Sequence, residues 1–118
     1  MIAVALLLAS ASPPAAEIEP EPAMEAFIAL AEAELRKKLR RPGAVTFAWP
    51  YRLAAGPKGY YTCGRAHAGR GKPGGKGDPW VSAVVAGGQA SNAQWSTRNG
   101  TLAWQCKKLV RNGTLIGR

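Results

Sequence analysis

After Glu34 the chain has one acidic side chain, Asp78, and over its whole length it has one histidine, His67. A pair of carboxylates for glycoside hydrolysis would have to recruit an acid from the N-terminal region, which speaks against a glycosidase. A Ser-His-Asp grouping would have to join His67 and Asp78 to Ser82, Ser91 or Ser96, and no nucleophile-elbow sequence surrounds any of these serines. A small enzyme using His67 and Asp78 is therefore the weakest functional reading, and His67 reads as a loop residue without catalytic duty. Cysteine is also scarce. The two present form no Cys-x-x-Cys, which removes a thioredoxin-like motif, and with one histidine they make a poor zinc set. No cofactor or metal is implied. Long apolar runs are missing as well: Ile2 to Ala9 is far shorter than the roughly 20 residues that span a bilayer, so no transmembrane anchor is expected.

That short run is nevertheless informative. It is uncharged and is followed by Ser10-Ala11-Ser12-Pro13-Pro14-Ala15-Ala16, where Ala9-Ser10-Ala11 fits the small-x-small rule for cleavage after Ala11, with Ala16 as a second choice. Residues 1–16 thus read as a signal peptide and cleavage region, and the protein as periplasmic or secreted. No Lys or Arg precedes the run, so the positive n-region is missing unless translation starts upstream. The alternative is an apolar N-terminus on a cytosolic protein. Residues 17–22, Glu-Ile-Glu-Pro-Glu-Pro, form an acidic linker in which two prolines oppose helix; its acids either lie against the basic domain or hold it off a membrane.

Charge is divided along the chain. All sixteen Lys and Arg lie at Arg36 or beyond, whereas six of the seven acids precede residue 35, and the formal net charge is +9. A field of this sign attracts anionic partners; its plainer meaning is a solubilising cationic surface.

Residues 23–118 suit one basic domain of the α+β class, with an N-terminal amphipathic helix packed on a small, mainly antiparallel sheet of three to four strands. From Ala23 to Arg41, Met24, Phe27, Ile28, Ala31, Leu35 and Leu39 recur at helical spacing, and Pro42-Gly43 stops the helix. Acids in its first half and Arg36, Lys37, Lys38, Arg40 and Arg41 at its end complement the helix dipole. Ala44 to Leu53 alternates as a strand or bent ribbon that Pro50 confines to an edge or bulge. Tyr60 to Ala66 and the nearly all-apolar, hence central, Trp80 to Ala86 follow, and Gln89 to Thr97 offers a fourth strand. Leu102 to Arg111 has helical spacing, although Leu102, Trp104 and Cys106 would also alternate on a strand; a short helix is preferred.

In an exported chain Cys63 and Cys106 pair as a structural disulfide, worth about 4 kcal/mol on the chain-entropy model. The most distinctive segment runs from Gly64 to Pro79. It interleaves glycines with Arg65, His67, Arg70, Lys72 and Lys76, the candidate anion-binding residues, whose amides and side chains could surround phosphate or carboxylate. Gly69-x-Gly71-x-x-Gly74 matches a dinucleotide fingerprint only formally, because Pro73 interrupts it and no βαβ unit follows. The plainer alternative is a flexible connection between strands. Tyr60, Tyr61, Trp80, Trp95 and Trp104 flank or follow the loop; Tyr61 and Trp80 are expected to pack, and one of the others to be exposed. Asn99-Gly100 and Asn112-Gly113 read as turn and cap residues rather than glycosylation sites.

Leu39, Pro42, Phe47, then Cys63-Gly64 and Gly74-Gly75, form a pattern that resembles a group of small exported proteobacterial domains of uncharacterised function. Those carry a helix ending in Leu-x-Asp-Pro, a Phe five positions later, and Cys-Gly-x-Val-Asn leading to Gly-Gly-Tyr. Here Arg41, Ala66, His67 and Lys76 stand in place of the Asp, Val, Asn and Tyr, and the Gly-Gly pair falls one position late. The resemblance spans residues 24–76 and implies export and a helix-plus-sheet domain, but no activity.

Together these features favour a non-catalytic envelope protein whose partners are lipid head groups, acidic glycans or an acidic protein. A nucleic-acid-binding module comes second, since phosphates suit the same cations, but export opposes it and no nucleic-acid motif is present.

Overall fold

The computed structural model describes residues 19–118. The expected signal and cleavage region, and linker residues 17 and 18, lie outside the described residues. Among the described residues no helix is long and apolar enough to cross a membrane.

Helix α1, Met24–Arg36, forms where the apolar stripe predicts it, and buries Phe27, Ala31 and Leu35 completely. These lie four residues apart, on one face. The helix stops at Arg36, short of the expected Arg41. There the Arg36 guanidinium turns over the chain that follows: it donates to the carbonyls of Pro42 and Val45 (2.8 Å for the latter) and to Glu32 (3.2 Å), and lies 4.8 Å above the Phe47 ring. Pro42 also bars the residue before it from helical geometry, and a short 3-10 turn, Pro42–Ala44, leads into the sheet. The basic residues of 37–41 therefore sit on a turn and not on the helix.

The sheet is antiparallel throughout. It comprises β1 (Val45–Ala48), β2 (Ala54–Gly56), β3 (Gly59–Ala68), β4 (Trp80–Ala86) and β5 (Gln89–Trp95), ordered β1-β3-β4-β5. Strand β2 lies on the same edge of β3 as β1: β1 pairs with residues 65–68 and β2 with residues 59–61. The expected ribbon from Ala44 to Leu53 is thus split, and the sheet gains a short additional strand. Pro50, which has no N–H, sits in the gap, and the C-terminal segment closes it. Tyr51 bridges to Gly117, the Arg52 amide donates to the Ile116 carbonyl (2.7 Å), and the Arg118 amide donates to the Pro50 carbonyl (2.9 Å).

Strand β4 is interior, as its apolar run predicts, because both of its faces are covered. On one face Ala66, Val81, Ala83 and Val85 pack with Trp49 against α1. On the other, Cys63 and Trp80 pack against Leu115 and helix α2, Leu102–Arg111, through Leu102 and Cys106. The preferred helix is realised at the C-terminal end, and the Cys63–Cys106 disulfide ties it to β3 with Cα atoms 6.1 Å apart. Asn112 caps α2 and its side chain accepts from the Thr114 amide (3.0 Å), so Asn112-Gly113 does serve as cap and turn. Gly64 lets the first core close: a Cβ there would lie 2.6 Å from the Ala48 carbonyl oxygen and 2.8 Å from the Trp49 ring. In β5 a bulge opposite Ala83 puts Asn92 at φ 49°, a region asparagine tolerates better than most side chains.

The described part of the acidic linker rests on the domain. The Tyr60 hydroxyl donates to the Glu19 carbonyl (3.1 Å) and the Gly87 amide to the Glu19 carboxylate (2.8 Å). Of the two arrangements open from the sequence, Glu19 adopts the one in which the acid lies against the basic domain.

Candidate functional site: a cationic cleft beneath the glycine-rich loop

The connection between β3 and β4 is held in shape by one ion pair. His67, near the end of β3, places Nδ1 2.9 Å from Asp78 Oδ1, and its Nε2 lies 2.7 Å from the Arg70 carbonyl oxygen. Both partners only accept, so the ring satisfies both when both nitrogens carry protons. The hydrogen bond to Asp78, and then the one to the Arg70 carbonyl, raise the His67 pKa above its ordinary value. The same bond, followed by amides of the loop, lowers that of Asp78. Asp78 Oδ2 also accepts from the amides of Gly74 and Gly75, each at 3.1 Å. The sole carboxylate of this region is therefore spent on a clasp that folds the loop back on itself.

Arg65 supports the clasp from below. It donates to the carbonyls of Gly75 (3.1 Å) and Asp78 (2.8 Å), while its guanidinium stacks 4.6 Å above the Trp80 ring. Ser96, just past β5, accepts from the Trp80 amide (2.8 Å) and fixes the far wall. Between the loop, this wall and α2 opens a cleft of about 650 Å³ whose cations are Arg65, Lys76, Arg98 and Lys107. Backbone of Gly74, Gly75 and Gly77 lines it as well. Among the described residues the ion pairs are Glu32–Arg36, Glu34–Lys37 and Asp78–His67, so none of these four cations is neutralised by an acid. Helix α2 begins beside the cleft, with Ala103 in its wall and no side chain capping its first amides, which adds the positive end of a helix dipole.

The five residues read from the sequence as anion-binding thus divide. Arg65 and Lys76 line the cleft. His67 is turned into the clasp with both nitrogens engaged, and Arg70 and Lys72 are exposed on the loop outside the cleft wall. Arg98 and Lys107 were not among the candidates. Arg98 carries no local signal, but Lys107 follows Cys106, and the disulfide to Cys63 places it near Arg65. His67 and Asp78 do come together, as a scaffold rather than as a free acid and base. Of the aromatics, Trp80 is buried, Tyr61 half-buried, and Trp104 on α2 is 57% exposed beneath the Lys108 ammonium.

Comparison of this chain with protein-family models, with curated proteins and with solved structures finds no match.

Proposed function

We propose that this protein is a non-catalytic binding module of the cell envelope, periplasmic or secreted, that holds a phosphate or carboxylate group of an anionic partner in the cleft. The observation that carries this reading is the set of four cations around one cavity, Arg65, Lys76, Arg98 and Lys107, where the one carboxylate among the described lining residues, Asp78, is already paired with His67. Unpaired like charges repel one another, and a bound anion relieves that repulsion while gaining charge-assisted hydrogen bonds. Lipid head groups and acidic glycans supply such anions outside the cytoplasm. The disulfide, the short apolar run at the N-terminus and the resemblance to small exported domains support that location.

The test is retention of the full chain on phosphatidylglycerol vesicles and on an acidic polysaccharide, at low and at physiological salt. Binding is expected at low salt and weakens as salt rises. Arg98→Gln combined with Lys107→Gln should weaken it markedly, whereas Arg70→Gln with Lys72→Gln, which removes equal charge outside the cleft, should do so much less. No retention at low salt, or equal effects of the two pairs, would defeat the reading. Tighter binding to a single-stranded oligonucleotide than to either envelope probe would replace it with nucleic-acid binding.

A further inference from the structure

Beside the cationic cleft lies a second depression of different chemistry. It has a volume of about 460 Å³ and is lined by Tyr51, Trp80, Val110, Lys107 and Arg111. The Tyr51 and Trp80 rings are nearly parallel, 11° apart in plane with centroids 6.5 Å apart. The two depressions share Trp80 and Lys107, and the Arg65 guanidinium of the cleft lies against the same Trp80 ring that walls the notch. A ligand spanning both would meet cations at one end and an aromatic and aliphatic surface at the other.

We infer that the two depressions form one composite site for a single-chain anionic amphiphile, its phosphate or carboxylate in the cleft and its aliphatic chain along Tyr51, Trp80 and Val110. This inference rests on the anion-binding reading of the cleft and names the class of ligand. The volume of the notch is within the roughly 300–1,000 Å³ of small-molecule sites. A sugar ring is a poorer occupant, because the uncharged polar side-chain groups of the lining residues are limited to the Tyr51 hydroxyl and the Trp80 indole N–H, and sugars need several directional partners. A bilayer surface is also a poorer occupant. Among the described residues the exposed large hydrophobics are Trp104 and Ile116, too few for a membrane-inserting face.

The experiment is calorimetric titration of the full chain with alkyl phosphates from butyl to decyl, each below its micelle-forming concentration. Inorganic phosphate serves as the head alone and octyl glucoside as a chain without charge. Affinity is expected to rise by up to about fourfold per methylene until the notch is filled, and octyl phosphate to bind far more tightly than octyl glucoside. Val110→Asn should flatten the dependence on chain length and leave binding of inorganic phosphate unchanged. Equal affinity for inorganic phosphate and decyl phosphate would overturn the composite site while leaving the anion site standing. Octyl glucoside binding as tightly as octyl phosphate would also overturn it. Retention by phosphatidylglycerol vesicles with no monomer bound would show surface adsorption instead. Absence of binding to every anion tested would remove the anion site on which the inference rests.

Discussion

Replacing Cys63 and Cys106 together by alanine tests how α2 is held. The bond joins β3 to α2 across a sequence separation of 43 residues, and closing such a loop in the unfolded chain contributes about 4 kcal/mol at 25 °C. Little else secures α2. Its buried contacts are Leu102 and Cys106, with Leu109 and Val110 only partly covered. For a domain of about a hundred residues, each kcal/mol moves the thermal midpoint by about 4–8 °C, so the midpoint should fall by about 15–30 °C. Urea unfolding of the oxidised protein and the double variant, followed by circular dichroism and extrapolated linearly, measures the difference directly. Hydrogen exchange adds a spatial test: amides of α2 should lose protection in the variant more than those of β3 and β4. A loss below about 1 kcal/mol, with an unchanged slope in urea, would refute the loop-entropy reasoning and show that Leu102 and Leu115 suffice to dock the helix.

Three further outcomes follow from the packing and the clasp. Phe27→Ala empties the centre of the α1 layer, where Phe27 meets Trp49 edge to face at 5.8 Å, and should cost about 3–5 kcal/mol in urea unfolding; a change of a few tenths would mean the layer is loosely packed. Gly64→Ala drives a methyl into the Ala48 carbonyl and the Trp49 ring and should cost about 1–3 kcal/mol, so an unchanged midpoint would show that β1 can move aside. The clasp makes stability depend on pH in two limbs. The His67 pKa is raised, so its contribution is complete below the ordinary value of 6.5 and is lost as pH rises through the raised value. The Asp78 pKa is lowered, so its contribution is complete above 3.8 and is lost as pH falls through the lowered value. Urea midpoints across this range should therefore show an alkaline decline in the native protein that His67→Gln removes, and identical profiles would disprove the clasp.

The amphipathic stripe Phe27, Ala31, Leu35 and the apolar run of β4 were legible in the sequence because each pattern reports a local period set against a buried face. Pairing of the two cysteines was legible for a different reason: with only two, an oxidised chain has one intramolecular choice. The sequence also marked the cationic loop, since glycine and basic residues concentrate there whatever the fold. By itself it therefore determined the class of the fold, its central strand, its staple and the sign of its surface.

Tertiary structure decided the rest, because each remaining feature depends on groups distant in the chain. The ribbon after Ala44 divides where residues 116–118 return to pair with it. The composition of the cleft was hidden for the same reason. Arg65 comes from β3 and Lys76 from the loop, but Arg98 arrives from the segment after β5, and Lys107 from α2, which is bonded to β3. His67 and Arg70 counted equally as loop cations in the sequence. Asp78 separated them, drawing the imidazole into the clasp and leaving Arg70 exposed on the loop surface. Charge and periodicity are properties of a segment, whereas a binding site is a property of distances between segments, and those distances exist only once the sheet has formed.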